Sequence, residues 1–256
     1  MKKMEENRRK FSIGDLNGFI QLNKARKGST VAKVDKESIS QRKCFLCKEN
    51  RPADQTAIEL VEGWELLVNP FPVFQPHYTI VSKKHEPQKL DAVIACKWVD
   101  NLPGMVVFYN DPGAGASAPD HAHYQAVEKT KLPLINLLES VWNPEDLSYV
   151  SDVTKKLNLP FKVTAGTINE KISLSSEYPV NAYFWKSKED TIRYAVIPRK
   201  AHRPDFYFLD PPYRRAFSPG AIDMAGVLIT PFEEDFSALT LKEIEEIYCQ
   251  TGFPNE

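Results

Sequence analysis

A loose internal echo restricts the folds open to this chain. Tyr78-Thr79-Ile80-Val81-Ser82-Lys83-Lys84-His85-Glu86-Pro87 and Tyr194-Ala195-Val196-Ile197-Pro198-Arg199-Lys200-Ala201-His202-Arg203-Pro204 share one order of features. Each runs aromatic, β-rich segment, basic pair, His, Pro. An apolar segment follows each at similar distance, Ala221 to Thr230 in the second case. A repeated unit of this size calls for two related halves. No low-complexity linker separates them, so one shared sheet is expected. The expected class is α+β, with tandem halves forming an antiparallel sheet and helices packed on it. Residues 1–43 read as an N-terminal arm or helix, 44–150 as the first half, and 151–256 as a second, degenerate half, all within one continuous unit.

Local patterns fill in this frame. Phe11 to Leu22 is the one apolar stretch in a polar, basic N-terminal region, and it is read as a helix or arm packing on the body. Trp64–Val68 and Tyr78–Val81 are strand-like. Leu90, Val93, Ile94 and Val99 fall at helical spacing between Gln88 and Asn101, and Pro103-Gly104 closes that helix. Met105–Tyr109 is a short apolar strand. The eleven-residue loop Asn110–Asp120 follows it and leads into the alternating segment His121-Ala122-His123-Tyr124-Gln125-Ala126-Val127. A charged helix over Thr240–Cys249 is expected near the end.

Composition excludes several function classes. Lys and Arg total 33 against 34 Asp and Glu in 256 residues, a net charge of −1. No basic surface for bulk nucleic-acid binding is expected from that balance. No apolar run approaches the roughly 20 residues of a membrane span. The opening Met1–Phe11 has signal-like charge but no apolar stretch behind it, so export is not expected. Four cysteines are too few for a disulfide scaffold, and a reducing cytoplasmic setting is expected.

The chemistry concentrates in His121-Ala122-His123-Tyr124-Gln125. On a strand, residues i, i+2 and i+4 share a face, which would align two imidazoles and a carboxamide. Imidazole is a nucleophile and a metal ligand near neutral pH. The Gln amide can donate to a phosphoryl oxygen. Ahead of them, Gly113-Ala114-Gly115-Ala116-Ser117 lets backbone N–H groups approach an anion and adds a hydroxyl. A pair of polar residues on a solvated strand is the plain alternative, and the combination with the loop favours chemistry. There is no Gly-Lys-Ser/Thr of a Walker loop and no Rossmann fingerprint. Cys44-Phe45-Leu46-Cys47 has the spacing for two thiolates on one zinc, which alone is half a site. Cys96 and Cys249 sit in helical patterns and read as core thiols.

The motif resembles the His-x-His-x-Gln of the histidine-triad superfamily, in its transferase branch. That branch includes galactose-1-phosphate uridylyltransferases, diadenosine-tetraphosphate phosphorylases and GDP-hexose phosphorylases. Asn110–Ser117 is similar to the family's Asn/Gly/Ser loop. Leu67–Val73 and His77–Lys83 resemble its upstream Asn-x-Phe-Pro-x(4)-His stretch. Cys44–Asn50 resembles the zinc-binding Cys-x-x-Cys of the uridylyltransferases, and the matching positions for the remaining ligands are His85 and His121. Ala122 and Tyr124 stand where the uridylyltransferases usually carry Pro and Gly. The aromatic before Gln125, with Ala126 after it, is more similar to the GDP-hexose phosphorylases. Ordered motifs cover residues 40–130, and the echo extends them over 194–230.

The resemblance implies tandem histidine-triad-like halves and ping-pong nucleotidyl transfer. His123 would attack the α-phosphorus of a nucleoside-diphosphate sugar or dinucleoside polyphosphate. A sugar 1-phosphate or inorganic phosphate would then take the nucleotidyl group. Gln125, Ser117 and the amides around Gly113 and Gly115 would hold the phosphoryl oxygens, with Asn110 in the same loop. A structural zinc on Cys44, Cys47, His85 and His121 would pin the active-site strand to the Cys-x-x-Cys loop. Asn69 and Phe71 would line the nucleoside site, or else form a turn and a core aromatic. His77 would stand near the pocket, or else be an ordinary strand-edge residue. Lys83 and Arg214-Arg215 are further phosphate candidates, while His202 carries no role. Two alternatives remain, a nucleotide hydrolase using the same His123 and a non-catalytic, zinc-stabilised nucleotide-binding module. The expected partners are nucleotides and phosphorylated small molecules, with no nucleic acid or membrane, in a monomer or homodimer.

Overall fold

The computed structural model describes residues 7–32, 34–142, 157–168, 174 and 176–254. At its centre is an eight-stranded antiparallel sheet in the order β3-β4-β5-β7-β6-β9-β10-β8. Its strands are β3 Ala57–Val61, β4 Trp64–Val68, β5 His77–Ser82, β6 Met105–Asn110, β7 His123–Glu128, β8 Thr164–Thr167, β9 Val180–Lys186 and β10 Ile192–Pro198. The two echoing segments, β5 and β10 with the loops after them, thus share one sheet, and the class is α+β as expected. The expected boundary at 150/151 lies outside the described residues.

Pairing register sorts the side chains. Gln125 stands opposite Thr79 on β5 and Phe108 on β6, and His123 opposite Val81. Paired residues share a face and neighbours alternate. His123, Gln125 and Phe108 therefore face one way, and Tyr124, Ala126 and Val107 the other. The second face packs on a helix, Ala92–Asn101, through Ile80, Val107, Tyr124, Phe184 and the fully buried Trp98. That helix starts four residues later than expected, because the Asp91 side chain caps it by accepting from the amides of Val93 and Ile94. Its buried residues are Ala95, Trp98 and Val99, while Val93 is 66 % exposed.

The first face is covered by both chain ends. Arg8–Ile13 and Leu16–Leu22 form a hairpin, β1-β2, and β2 pairs in parallel with β11, Val227–Thr230. This corrects the helical reading of Phe11–Leu22. Phe11, Ile13, Leu16 and Ile20 are buried, while Ser12 and Asn17 face solvent, and that period of two belongs to strands. The hairpin joins Val106, Phe108, Tyr183 and Trp185 of the sheet and the final helix, Leu241–Thr251, in the larger core. A Thr240/Glu243 capping box starts that helix, which buries Ile244, Ile247, Tyr248 and Thr251. Cys249 lies off this face and is exposed, and Cys96 is half-buried, so neither is a core thiol. No helix among the described residues is long and apolar enough to cross a membrane.

Candidate active site

β7 begins at His123, so the expected row of three side chains breaks at its first member. His121 lies outside the strand and turns its Nδ1 toward Cys44 and Cys47, at 3.3 and 3.6 Å. His123 and Gln125 remain together on the sheet face. Where β6 and β7 diverge, Gln88 takes over their pairing. Its Oε1 accepts from the His123 amide at 2.7 Å, and its Nε2 donates to the carbonyls of His123 and Asn110 at 2.8 and 3.0 Å. Nothing in the sequence motifs marks Gln88.

The two rings on this face have defined tautomers. His123 Nδ1 lies 2.8 Å from the His121 carbonyl, an acceptor only, so Nδ1 carries the proton and Nε2 the lone pair. Burial pushes the His123 imidazole down to about 4, leaving it neutral at pH 7. His77 Nδ1 accepts from the Val73 amide at 3.1 Å, so its Nε2–H donates to Gln125 Oε1 at 2.9 Å. That bond holds Gln125 with its NH₂ turned away from His77, as a donor. Burial and then the Arg26 charge push His77 down to about 3.

Beside Gln125 lies a cavity of about 60 Å³, well above the ~10–15 Å³ that admits one water. The expected residues Asn110, Gly115, Ser117 and Gln125 line one side, with Phe108. Arg26, Thr30, Ser218, Gly220 and Asp223 line the other. His123 is 5 % exposed and stands off the wall, two residues along the strand from Gln125. Gly115 is where the walls meet. At φ +96° it lies so close to Gly220 that a Cβ would sit 2.6 Å from the Gly220 Cα. Asn110 Oδ1 ties the walls together by accepting from Asn181 Nδ2 at 2.9 Å and the Ala221 amide at 2.7 Å. Asn181 in turn accepts from the buried Arg199 guanidinium at 2.6 Å.

Other expected residues lie elsewhere. Asn69 forms a turn, accepting from the Phe71 amide at 2.9 Å and donating to Thr79 at 3.1 Å. Phe71 is 54 % exposed, so it is not a core aromatic, and neither residue lines the cavity. Gly113, at φ +84°, turns the loop against Pro179. Lys83 pairs with Glu59, and Arg215 with Glu243 at 3.1 Å. Arg214 stacks on Tyr207 at 5.2 Å. His202 is engaged by Ser218 at 2.8 Å.

Cys44, Cys47, His85 and His121 converge so that their donor atoms all lie within 4.8 Å of one another, and together they could hold a metal ion. The Cys47–His85 separation is 3.3 Å. Bond lengths of about 2.3 Å to sulfur and 2.0–2.1 Å to nitrogen put tetrahedral S···N separations near ~3.6 Å, so the set fits such an ion. His121 Nε2 donates to the Ser82 carbonyl at 2.8 Å, which leaves Nδ1 as the ligating atom. The Cys-x-x-Cys turn is braced by Arg51, which donates to Leu46 O at 2.7 Å and pairs with Glu65 at 2.6 Å.

A family model described as a domain of unknown function, DUF4922, matches residues 1–128. The chain belongs to this family. No curated protein matches it in sequence. Among solved structures, yeast Ap4A phosphorylase Apa2 aligns over 97 % of this chain and 90 % of its own, with a TM-score of 0.61 and 15 % identity. The same enzyme in complex with AMP aligns at 0.57 and 16 % identity, over 97 % and 89 % of the two chains. At such identity the likeness shows the fold alone, an α+β fold shared with that enzyme.

Proposed function

We propose that this protein is a nucleotidyltransferase or phosphorylase that works through a nucleotidyl-histidine on His123. The observation that carries the reading is the ring's hydrogen bonding. Nδ1–H is committed to the His121 carbonyl, so Nε2 holds its lone pair, and no described residue hydrogen-bonds to it. The electron pair on Nε2 would form the bond to the α-phosphorus while the leaving phosphate departs with the electrons of the broken P–O bond. Gln125, held as a donor by His77, would take a non-bridging oxygen, and Ser117 with the Gly115 turn would offset the spreading charge. Asn110 would position that turn. The yeast neighbour has been crystallised in complex with AMP and with Ap4A, which supports a nucleotide donor such as a dinucleoside polyphosphate, with a nucleoside-diphosphate sugar as the other candidate from the motif resemblance.

The metal set is proposed to hold a structural zinc. Four protein donors close the coordination shell, as structural zinc sites do. The zinc would fix His121, whose carbonyl in turn sets the His123 tautomer. Mass spectrometry after mixing with UDP-glucose, GDP-glucose or Ap4A tests the reading. A nucleotidyl adduct on His123 that phosphate or a sugar 1-phosphate discharges is the expected result. Equal product formation without such an acceptor would replace transfer by hydrolysis, and nucleotide binding without any adduct would leave a binding module.

A further inference from the structure

The cavity wall facing Gln125 carries the side chains that the site motifs leave out. Arg26 follows the β1-β2 hairpin, Ser218 lies in the loop before Gly220, and Asp223 sits in the short helix Ala221–Met224. All three line the 60 Å³ cavity with Ser117 and Gln125. By volume it admits several waters, and its polar lining suits a small oxyanion beside the phosphoryl group that Gln125 and Ser117 would hold. Arg26 supplies a half-buried positive charge, and it and Asp223 act on each other electrostatically. Asp223 is 8 % exposed. Its Oδ1 accepts from the Ile229 amide at 2.9 Å and its Oδ2 from the Gly220 amide at 3.0 Å. Each carboxylate oxygen has a second lone pair, so Asp223 can accept once more on the cavity side.

A carboxylate is a poor neighbour for a fully ionised oxyanion, since like charges repel at close range. It is a good one for an oxyanion that still carries a hydroxyl. Inorganic phosphate keeps a P–O–H throughout the neutral range, and phosphate monoesters, whose second pKa lies near 6, keep one only in part. Sulfate keeps none. We propose that this wall is a subsite for a protonated phosphate, Arg26 countering its charge and Asp223 accepting the hydrogen of its P–O–H. Ser218 adds a hydroxyl held between His202, at 2.8 Å, and Arg203, at 3.0 Å.

This deepens the transfer reading and rests on it for its place in the reaction. The bound phosphate would be the acceptor. An unprotonated oxygen gives its electron pair to the α-phosphorus, the His123–phosphorus bond breaks, and that pair returns to Nε2. The acceptor's own proton stays on the oxygen facing Asp223. In the forward half-reaction the same wall would receive the leaving phosphate.

Calorimetric titration of the full chain without nucleotide separates this subsite from the transfer reading. Inorganic phosphate, glucose 1-phosphate and sulfate are the probes, at matched ionic strength and pH 7.5. At least one of the two phosphates should bind at least about tenfold more tightly than sulfate, the scale of one hydrogen bond to a charged group. Which phosphate is tighter tells whether the source is free phosphate or a sugar phosphate. Arg26→Gln should weaken phosphate about tenfold or more, and Asp223→Asn should narrow the phosphate-to-sulfate ratio. Circular dichroism checks that both variants fold. Should Asp223→Asn not fold, the wild-type ratio and Arg26→Gln still decide the matter. Sulfate binding within about twofold of both phosphates, no binding of either phosphate, or unchanged phosphate affinity in Arg26→Gln would each overturn the proposal. Selective phosphate binding in a protein that never forms a His123 adduct would keep the subsite and remove only the transfer reading.

Discussion

Replacing His77 by Gln should narrow or reverse the stability difference between the two proteins from neutral to acid pH. His77 is 2 % exposed, and burial with the Arg26 charge lowers its pKa from 6.5 to about 3. The folded-state value is depressed for a base, so folding requires the neutral ring. The His77 contribution is present above pH 6.5 and is lost as pH falls toward 3. At ~1.36 kcal/mol per unit, the loss between pH 7 and pH 4 is about 3 kcal/mol. The carboxamide of the His77→Gln variant cannot titrate and so escapes that loss. At pH 7 the variant forfeits the pairing of the Val73 amide and of Gln125 Oε1, at about 1–3 kcal/mol for each buried group left unpaired. Urea unfolding followed by tryptophan fluorescence at pH 7, 6, 5 and 4 reads both effects. Protonation of the metal-site residues affects both proteins alike, so the difference isolates His77. Wild type should be the more stable at pH 7, and the gap should close or reverse by about 3 kcal/mol at pH 4. Parallel pH profiles would refute the assignment of His77 as a buried neutral donor. The same variant should lower turnover more than substrate affinity, because Gln125 would no longer be held as a donor.

Three other changes probe the site. Gly115→Ala should cost at least about 2 kcal/mol in denaturant melts and abolish adduct formation, since its φ is +96° and the added Cβ meets the Gly220 backbone. Gln88→Leu leaves the His123 amide and the carbonyls of His123 and Asn110 without their partner. A fall in stability of about 2–5 kcal/mol and faster amide exchange at His123 should follow. Cys44→Ser should remove the roughly one equivalent of zinc that elemental analysis of the wild type is expected to find, and chelation should lower the melting temperature of the wild type but not of the variant.

Much of the first half can be read from local spacing. Trp64–Val68 is a strand with the bounds its sequence suggests, because its Trp, Leu and Val favour a packed pleated surface and Asn69-Pro70 stops it. The Cys44–Cys47 pair is legible as half a site, and the resemblance adds His85 and His121, which the structure brings to the same point. The hairpin over Arg8–Leu22 reads as a helix or arm, and the sequence does not choose the strands because its apolar run is long and the turn at Gly14-Asp15 is only two residues. Sequence alternation puts His121 on the strand face, but alternation holds only while pairing holds, and β7 begins two residues later.

The residue types in His121–Gln125 and Cys44–Cys47 define which chemistry this chain can perform, since a ring nitrogen, an amide and two thiolates are properties of the residues themselves. Their partners are another matter. Arg26, Gln88, Asn181 and Asp223 meet the motif from positions 26 to 223, and no local pattern distinguishes them from solvated polar residues. They are brought in by sheet register, by the parallel pairing of β2 with β11, and by the Gly115–Gly220 contact. Burial then changes what they are. Away from water His77 and His123 stay neutral, and the Asp223 carboxyl rises to about 6. Composition carries none of this, because desolvation and pairing exist only once the distant segments have closed over the sheet.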